Sequence, residues 1–146
     1  MSREIKVSVV CLAYNHEKYI RECLDSIVNQ KTSFKYEIII NDDASTDNTA
    51  NIIREYEKKY PEIIKATYQE ENQYSKGVNI TEEILLKNAT GKYVAFCECD
   101  DKWTDSKKLQ RQYEYMEVHP KCSMCVHNTV MHDLNGIRED VNFNHA

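Results

Sequence analysis

Short apolar runs alternate along the chain with stretches in which apolar residues recur every three or four positions. The runs are rich in Val and Ile, which is typical of buried strands, and the longer spacing is typical of amphipathic helices. The strand-like runs lie at residues 5–12, 36–40, 63–68 and 93–97. A helical pattern follows each of them. This alternation predicts an α/β fold with a mainly parallel sheet flanked by helices.

Residues that favour the ends of helices stand between these segments. Asn15, Asp47 and Asp105 precede three of the helical patterns, where a side-chain oxygen accepts a free backbone N–H. Gly91 follows the third pattern and is predicted to end that helix as a C-terminal cap. Near the end of the chain, Asn135-Gly136 separates two strand-like stretches, which predicts a C-terminal β-hairpin.

The composition narrows the class of protein. The 146 residues fit a single compact domain. The net charge of −5 argues against nucleic acid as a partner, because phosphate contacts need clustered Lys and Arg. The longest apolar run has about six residues, far fewer than the roughly 20 that span a bilayer. Six cysteines without a visible secretion signal are interpreted as reduced thiols, so we expect a cytoplasmic location.

The cysteines also allow a metal hypothesis. Cys97-x-Cys99 and Cys122-x-x-Cys125 together supply four thiols with the short spacings seen in zinc sites. Cys97, however, continues an apolar strand-like run, and a free cysteine commonly packs as a small hydrophobic residue. We favour the packing interpretation.

Two acidic clusters follow predicted strands. Asp42-Asp43 ends the second strand, and Glu98, Asp100 and Asp101 follow the fourth. In a parallel sheet these ends meet at one edge, where α/β proteins bind ligands. A hard divalent cation, Mg²⁺ or Mn²⁺, offsets such clustered negative charge and needs only one or two protein carboxylates. We expect Asp100 to bind the cation directly and Glu98 or Asp101 to act through water; the alternative is that these acids are solvated loop residues or helix caps.

Three segments in this order resemble family 2 glycosyltransferases of the GT-A (Rossmann-like) fold. Residues 7–15 resemble the opening strand, and residues 39–47, with Asp-Asp-Ala-Ser-Thr-Asp, resemble the nucleotide-binding segment Asp-Asp-Gly-Ser-x-Asp. Residues 91–103 resemble the strand that delivers the DxD metal motif, present here as Glu-Cys-Asp. The resemblance spans roughly residues 5–120, and Ala44 replaces the usual glycine.

The resemblance implies roles for individual residues in nucleotide binding. Ala13, Tyr14 and Asn15 would border the nucleotide base, and Glu17 would join that pocket. Asp43 would hold the base or the ribose.

The same resemblance implies roles at the diphosphate. Asp100, the last acid of the metal motif, would bind Mn²⁺ or Mg²⁺ on the diphosphate. Glu98 would face the ribose or a metal-bound water, and Trp103 would lie beside the sugar.

The implied activity is metal-dependent transfer of a sugar, with inversion, from a nucleotide-sugar donor to a saccharide or lipid-linked acceptor. UDP is the donor nucleotide favoured by the family. Residues 1–146 would be a GT-A-type domain truncated before the acceptor side, and Asp140 is the candidate for the general base. Peripheral membrane association of the full-length protein, through a C-terminal part, stays open, as does pairing of the hairpin with a second copy.

Two other classes of protein remain open on the sequence. One is a domain that binds a nucleotide-sugar but lacks the catalytic base. The other is a receiver-like signalling module, which also places acidic residues at strand ends around Mg²⁺. Its acidic pair would have to follow the first strand, whereas here the pair follows the second.

Overall fold

Four strands pair in parallel into one sheet. The structure is a computed structural model that describes residues 4–133 and 135–141, without the side chains of residues 133 and 137–141. The strands are β1 (Ile5–Ala13), β2 (Lys35–Asp42), β3 (Ile64–Tyr68) and β4 (Tyr93–Phe96). Their order across the sheet is β3-β2-β1-β4, so the chain adds β2 and β3 on one side of β1 and β4 on the other. The loops that leave β1 and β4 therefore diverge, which opens a crevice at their carboxyl ends.

Helices cover both faces of the sheet. These are α1 (Ile20–Val28), α2 (Thr49–Lys59) and α3 (Leu86–Asn88), which continues a π-helical turn at Thr81–Leu85. A fourth helix, α4 (Lys108–Val118), follows β4 in the chain. A 3₁₀ turn at Tyr74–Lys76 lies in the loop after β3. Among the described residues, no helix combines the length and the hydropathy needed to cross a membrane.

Alternation along the strands divides the core between two faces. Val10 and Ile39 pack with Ile80 and Leu85, next to α3. Successive strand residues point to opposite faces, so Cys11 lies on the other face, where it contacts Cys23 of α1. The two central strands, β1 and β2, are thus enclosed on both sides, as their near-continuous apolar runs predict.

The chain forms two compact units, Met1–Arg111 and Gln112–Ala146. The first contains the whole parallel sheet. The second contains an antiparallel hairpin of β5 (Thr129–Asp133) and β6 (Gly136–Val141). The predicted α/β fold and the predicted hairpin are both confirmed.

Two predicted helix ends are wrong. Asn15 is not the cap of α1, because that helix begins five residues later and Tyr19 precedes it. Gly91 is not a helix cap either, because the helix ends at Asn88 and Ala89 is extended. Asp47 lies one residue before the N-cap of α2, which is Asn48, although its carboxylate does accept the backbone N–H of Thr49, the first residue of α2, at 2.9 Å.

Gly91 serves a close approach of two backbone segments. A Cβ atom at this position would lie 2.6 Å from the Ser8 backbone nitrogen and 2.7 Å from the Val7 carbonyl carbon. Both neighbours belong to β1 and cannot move without disturbing its pairing with β4.

Replacing Gly91 with alanine should therefore lower the free energy of unfolding by about 2 kcal/mol, the usual cost of overpacking. Urea unfolding followed by circular dichroism measures this. Gly77→Ala is the contrasting variant: no atom lies within 4 Å of a Cβ there, and only its positive φ of 78° opposes the change. A clash is refuted if Gly91→Ala unfolds at the same urea concentration as the parent.

Candidate active site

A cleft of about 510 Å³ lies beyond the carboxyl ends of β1, β2 and β4. The loops that follow all four strands of the parallel sheet contribute to it. The lining residues are Leu12, Tyr14, His16, Asp43, Asn72, Tyr74, Ser75 and Glu98. The cleft therefore occupies the edge of the sheet at which the two acidic clusters were predicted to meet.

Asp43 is fixed inside this cleft. The residue is 1% exposed, and its own backbone N–H donates to the Ala13 carbonyl at 2.9 Å. Its carboxylate accepts the backbone N–H of Gln73 at 2.7 Å and of Tyr74 at 3.1 Å. Asp43 thus anchors the loop after β3 as one wall of the cleft. Ala13, which the resemblance assigns to the base pocket, is buried and takes part through this carbonyl.

Ala44 forms the turn for which the resembled motif has glycine. Its φ is 60°, in the left-handed region that usually favours glycine. A non-glycine residue there costs roughly 1–2 kcal/mol. Ser45 offsets part of this cost, because its Oγ and its backbone N–H both donate to the Asp42 carboxylate, at 2.5 Å and 3.2 Å.

Asn15 joins the loop after β1 to the loop after β2. Its φ is also positive, at 53°. Its Oδ1 accepts the backbone N–H of Thr46 at 2.8 Å and of Asp47 at 3.4 Å, while its own N–H donates to Ser45 Oγ at 3.0 Å. Asn15 therefore holds the two loops together.

Glu17 takes part in the same connection between the loops. Its backbone N–H donates to Asp47 Oδ2 at 3.1 Å, and its Oε2 accepts the N–H of Asn48 at 2.9 Å. Tyr14, between Ala13 and Asn15, is 43% exposed and does line the cleft. Of the four loop residues predicted to border a base, Tyr14 is thus the one whose side chain is available to a ligand there.

The acidic cluster after β4 reaches the same region. Glu98 lines the cleft. Asp100 lies beside it, with Oδ2 4.0 Å from Nε2 of His16, and 46% of its side chain is exposed. Asp43, Glu98 and Asp100 therefore converge on one region although more than fifty residues separate the first from the others.

The donor set suits a hard cation whose remaining ligands come from a bound molecule. The carboxylates of Asp100 and Glu98 are oxygen donors of the kind that Mg²⁺ and Mn²⁺ prefer. In the part of the chain that the structure describes, no three or more His, Cys, Asp or Glu side chains are grouped to hold a metal ion. A cation at Asp100 would therefore need oxygen atoms from a substrate or from water.

A cluster of thiols lies beneath the Glu98 segment. Cys11, Cys23, Cys97 and Cys99 are all buried, and Cys23 Sγ lies 3.9 Å from Cys97 Sγ. The hydrogen bond with Cys23 and burial together raise the pKa of Cys97. Their burial among apolar residues supports the interpretation that these thiols pack as small hydrophobic side chains.

Sequence reasoning missed most of the loop after β3. No motif marks residues 72–77, yet Asn72, Tyr74 and Ser75 line the cleft. The position of this loop depends on backbone N–H groups that donate to Asp43. Every residue except proline has such a group, so the sequence does not reveal the contact. His16 was missed as well, although it stands directly beside Asn15 and a histidine shortly after a strand was a usable hint.

The proposed general base lies in the other unit. Asp140 belongs to β6 of the hairpin, and its side chain is outside the described part of the structure. Its role stays a prediction.

The fold and the cleft define a GT-A (Rossmann-like) domain, and the comparisons agree. The family model described as Glycosyl transferase family 2 matches residues 8–140. The chain is 44% identical over 121 residues to an uncharacterized protein of Mycobacterium tuberculosis, covering 83% of this chain and 34% of that protein. It is 38% identical over 112 residues to the poly(ribitol-phosphate) beta-glucosyltransferase of Bacillus spizizenii, covering 76% and 17% respectively.

Solved structures resemble the chain as well. TarS of Staphylococcus aureus in complex with UDP superposes with a TM-score of 0.67 and 32% identity over 80% of this chain and 33% of that one. The mannosyltransferase PcManGT of Pyrobaculum calidifontis, in complex with GDP-Man and Mn²⁺, gives a TM-score of 0.66 and 25% identity over 79% and 33%. The chain therefore belongs to glycosyltransferase family 2. It spans about a third of the length of the first curated relatives that it matches.

Proposed function

We propose that this chain binds the nucleotide-sugar donor of a metal-dependent, inverting glycosyltransferase. The observation that carries the proposal is the cleft itself. Tyr14, Asp43 and Glu98, which leave three different strands, line it together, and Asp100 lies at its edge beside His16. An aromatic ring, a buried carboxylate and further acids at one sheet edge suit a base, a ribose and a cation-bound diphosphate.

Two relatives support this kind of donor. TarS is described in complex with UDP and with UDP-GlcNAc, and PcManGT in complex with GDP-Man and Mn²⁺. We favour UDP as the nucleotide here, because TarS is the more similar of the two at 32% identity against 25%.

The chain's own residues divide the chemistry. Tyr14 offers a ring face to the base, and Asp43 holds the loop after β3, which forms one wall of the cleft, in place. Asp100 binds Mn²⁺ or Mg²⁺, and Glu98 faces the ribose or a water on that cation. A bound divalent cation supplies positive charge against the charge that develops on the departing diphosphate.

The acceptor side of the reaction is proposed on family grounds. Inversion requires an acceptor hydroxyl to attack the anomeric carbon from the face opposite the leaving group, while a carboxylate removes its proton. Asp140 is the candidate for that carboxylate, and the acceptor is a saccharide or a lipid-linked saccharide.

A nucleotide panel tests the proposal. The 146-residue chain is heated with UDP, GDP, dTDP or CMP, each with and without Mn²⁺, while its unfolding temperature is recorded. UDP with Mn²⁺ should give the largest rise, because a ligand that binds only the folded state stabilises it. If no nucleotide raises the unfolding temperature, the proposal is wrong. If UDP binds but UDP-sugars are neither hydrolysed nor transferred, the chain is a donor-binding domain without catalysis.

The role of Asp100 gives a separate prediction. Asp100→Asn removes the charge that binds the cation, so the affinity for UDP in the presence of Mn²⁺ should fall about tenfold, whereas the affinity measured with EDTA should stay the same. Isothermal titration calorimetry measures both values. Glu62→Gln is the matched control, since it removes one negative charge from an exposed position. Equal Mn²⁺-dependent affinities in all three proteins would exclude the assigned role.

A further inference from the structure

His16 is held in a fixed position by its backbone. Its N–H donates to Thr49 Oγ1 at 2.8 Å, and its carbonyl accepts the N–H groups of Tyr19 and Ile20, both at 2.9 Å, where α1 begins. Only the two side-chain torsions remain free. The side chain lines the cleft and is only 23% exposed. Because most of the ring is in contact with protein, the surrounding residues limit its orientation.

The two ring nitrogens of His16 have different surroundings. Nε2 faces Oδ2 of Asp100 at 4.0 Å. Nδ1 is closed to solvent, and among the residues that the structure describes it has no hydrogen-bond partner. This asymmetry indicates which nitrogen carries the hydrogen.

A hydrogen on Nδ1 would be a buried donor without an acceptor, and buried donors of that kind are rare and costly. The same tautomer would turn the lone pair of Nε2 toward the negative Asp100 carboxylate. The tautomer with the hydrogen on Nε2 avoids both problems, because it leaves an unpaired acceptor at Nδ1 and turns an N–H toward Asp100.

The same asymmetry argues against His16 as a metal ligand. A histidine that binds a metal through one nitrogen almost always donates the N–H of the other to a carboxylate, a carbonyl or water. His16 Nδ1 has no such acceptor among the described residues. The ring is therefore suited to donate a hydrogen bond through Nε2.

We propose that His16 is a positioning residue, whose Nε2–H donates to Oδ2 of Asp100 and leaves the other carboxylate oxygen free for the cation. The two atoms are 4.0 Å apart, beyond hydrogen-bond distance, so the bond requires a side-chain rotation that brings them closer. This inference rests on the proposed function, because it takes Asp100 as the metal ligand. The inference adds His16, which lies outside the Glu-Cys-Asp motif, to the residues of the metal site.

Substitution of His16 tests the proposal through metal affinity. Mn²⁺ is titrated into each protein at saturating UDP, and free Mn²⁺ is followed by electron paramagnetic resonance. His16→Ala should weaken Mn²⁺ binding about tenfold, at the lower end of what the loss of a residue behind a metal ligand costs. His16→Gln should restore affinity to within about twofold, because its amide supplies a donor at a similar reach. UDP affinity measured with EDTA should be the same in all three proteins.

The outcomes separate this inference from the proposed function. If the parent protein binds no Mn²⁺ with UDP, the proposed function fails. If the parent binds Mn²⁺ and His16→Ala binds it equally well, only the role of His16 is overturned.

A second measurement needs no substitution. A long-range proton–nitrogen correlation spectrum of the parent protein shows which ring nitrogen of His16 is protonated. A hydrogen on Nε2 is expected, and a hydrogen on Nδ1 overturns the inference even if the alanine variant does not fold.

Discussion

Replacing Glu37 with alanine should lower the free energy of unfolding by about 4 kcal/mol, because buried hydrogen-bond donors that lose their acceptor cost about 1–3 kcal/mol each. Glu37 lies in β2 and is 1% exposed. Its Oε1 accepts Ser8 Oγ at 2.6 Å and both the N–H and Oγ1 of Thr90 at 2.8 Å, and its Oε2 accepts Lys65 Nζ at 2.6 Å. One carboxylate thus joins three strands and the segment before β4, and alanine would leave several of these donors unpaired.

Two matched variants divide this effect into its parts. Glu37→Gln keeps an oxygen for Ser8 and Thr90, but it loses the charge and replaces the oxygen that accepts from Lys65 with an NH₂ group, so it should cost about 2 kcal/mol. Lys65→Met should cost less than 1 kcal/mol, because the Lys65 side chain is 58% exposed and the attraction is screened. Chemical unfolding measures all three. Equal costs for the alanine and glutamine variants would mean that the hydrogen bonds to Ser8 and Thr90 contribute nothing.

The same carboxylate makes stability depend on pH. Burial raises the pKa of Glu37, but the hydrogen bonds from Lys65, Ser8 and Thr90 outweigh it and lower the pKa to about 2, from 4.5. Because the folded pKa is the lower one, the stabilisation is fully present above pH 4.5 and is lost as the pH falls toward 2. The difference in unfolding free energy between the parent and Glu37→Gln should therefore shrink by more than half between neutral pH and about pH 3. A constant difference would contradict the lowered pKa.

Patterns of residue type predicted the parts of the fold that depend on burial. The β-branched runs gave the parallel strands, because a strand enclosed on both faces needs apolar residues on both. The acids at the ends of β2 and β4 were expected at one edge, and Asp43 and Glu98 do line one cleft. The order of motifs along the chain was enough for this step, since parallel strands bring their carboxyl ends together.

Contacts between distant backbone groups could not be predicted in the same way. Asn15 has the side chain of a helix cap, and only the neighbouring loop, 31 residues later in the chain, shows that its oxygen binds Thr46 instead. Gly91 has the position of a helix end, yet the strand beside it explains the residue. The amide oxygen of Asn15 could cap a helix or bind a neighbouring loop. The missing Cβ of Gly91 could end a helix or allow close contact with a strand. In both cases tertiary contacts decide between the two structures.

Replacing Asp43 with alanine should weaken UDP binding in the presence of Mn²⁺ by about a hundredfold, or roughly 2.7 kcal/mol. The carboxylate is buried and accepts the backbone N–H groups of Gln73 and Tyr74. Hydrogen bonds to a charged group contribute about 1.5–3 kcal/mol each, so their loss releases the loop after β3 and with it one wall of the cleft. Any direct contact between Asp43 and the nucleotide is lost in addition.

Asparagine at this position separates support of the loop from overall charge. Asp43→Asn keeps one oxygen, which can accept from either Gln73 or Tyr74, and turns its NH₂ group toward the other backbone N–H. UDP binding should therefore fall about tenfold rather than a hundredfold. Glu62→Gln, which removes an exposed negative charge, should bind UDP as the parent does. Calorimetry gives the affinities, and hydrogen exchange should show faster exchange of the Gln73 and Tyr74 amides in Asp43→Ala. If these amides stay protected while affinity falls, Asp43 acts on the nucleotide directly; if affinity is unchanged, the cleft is not the donor site.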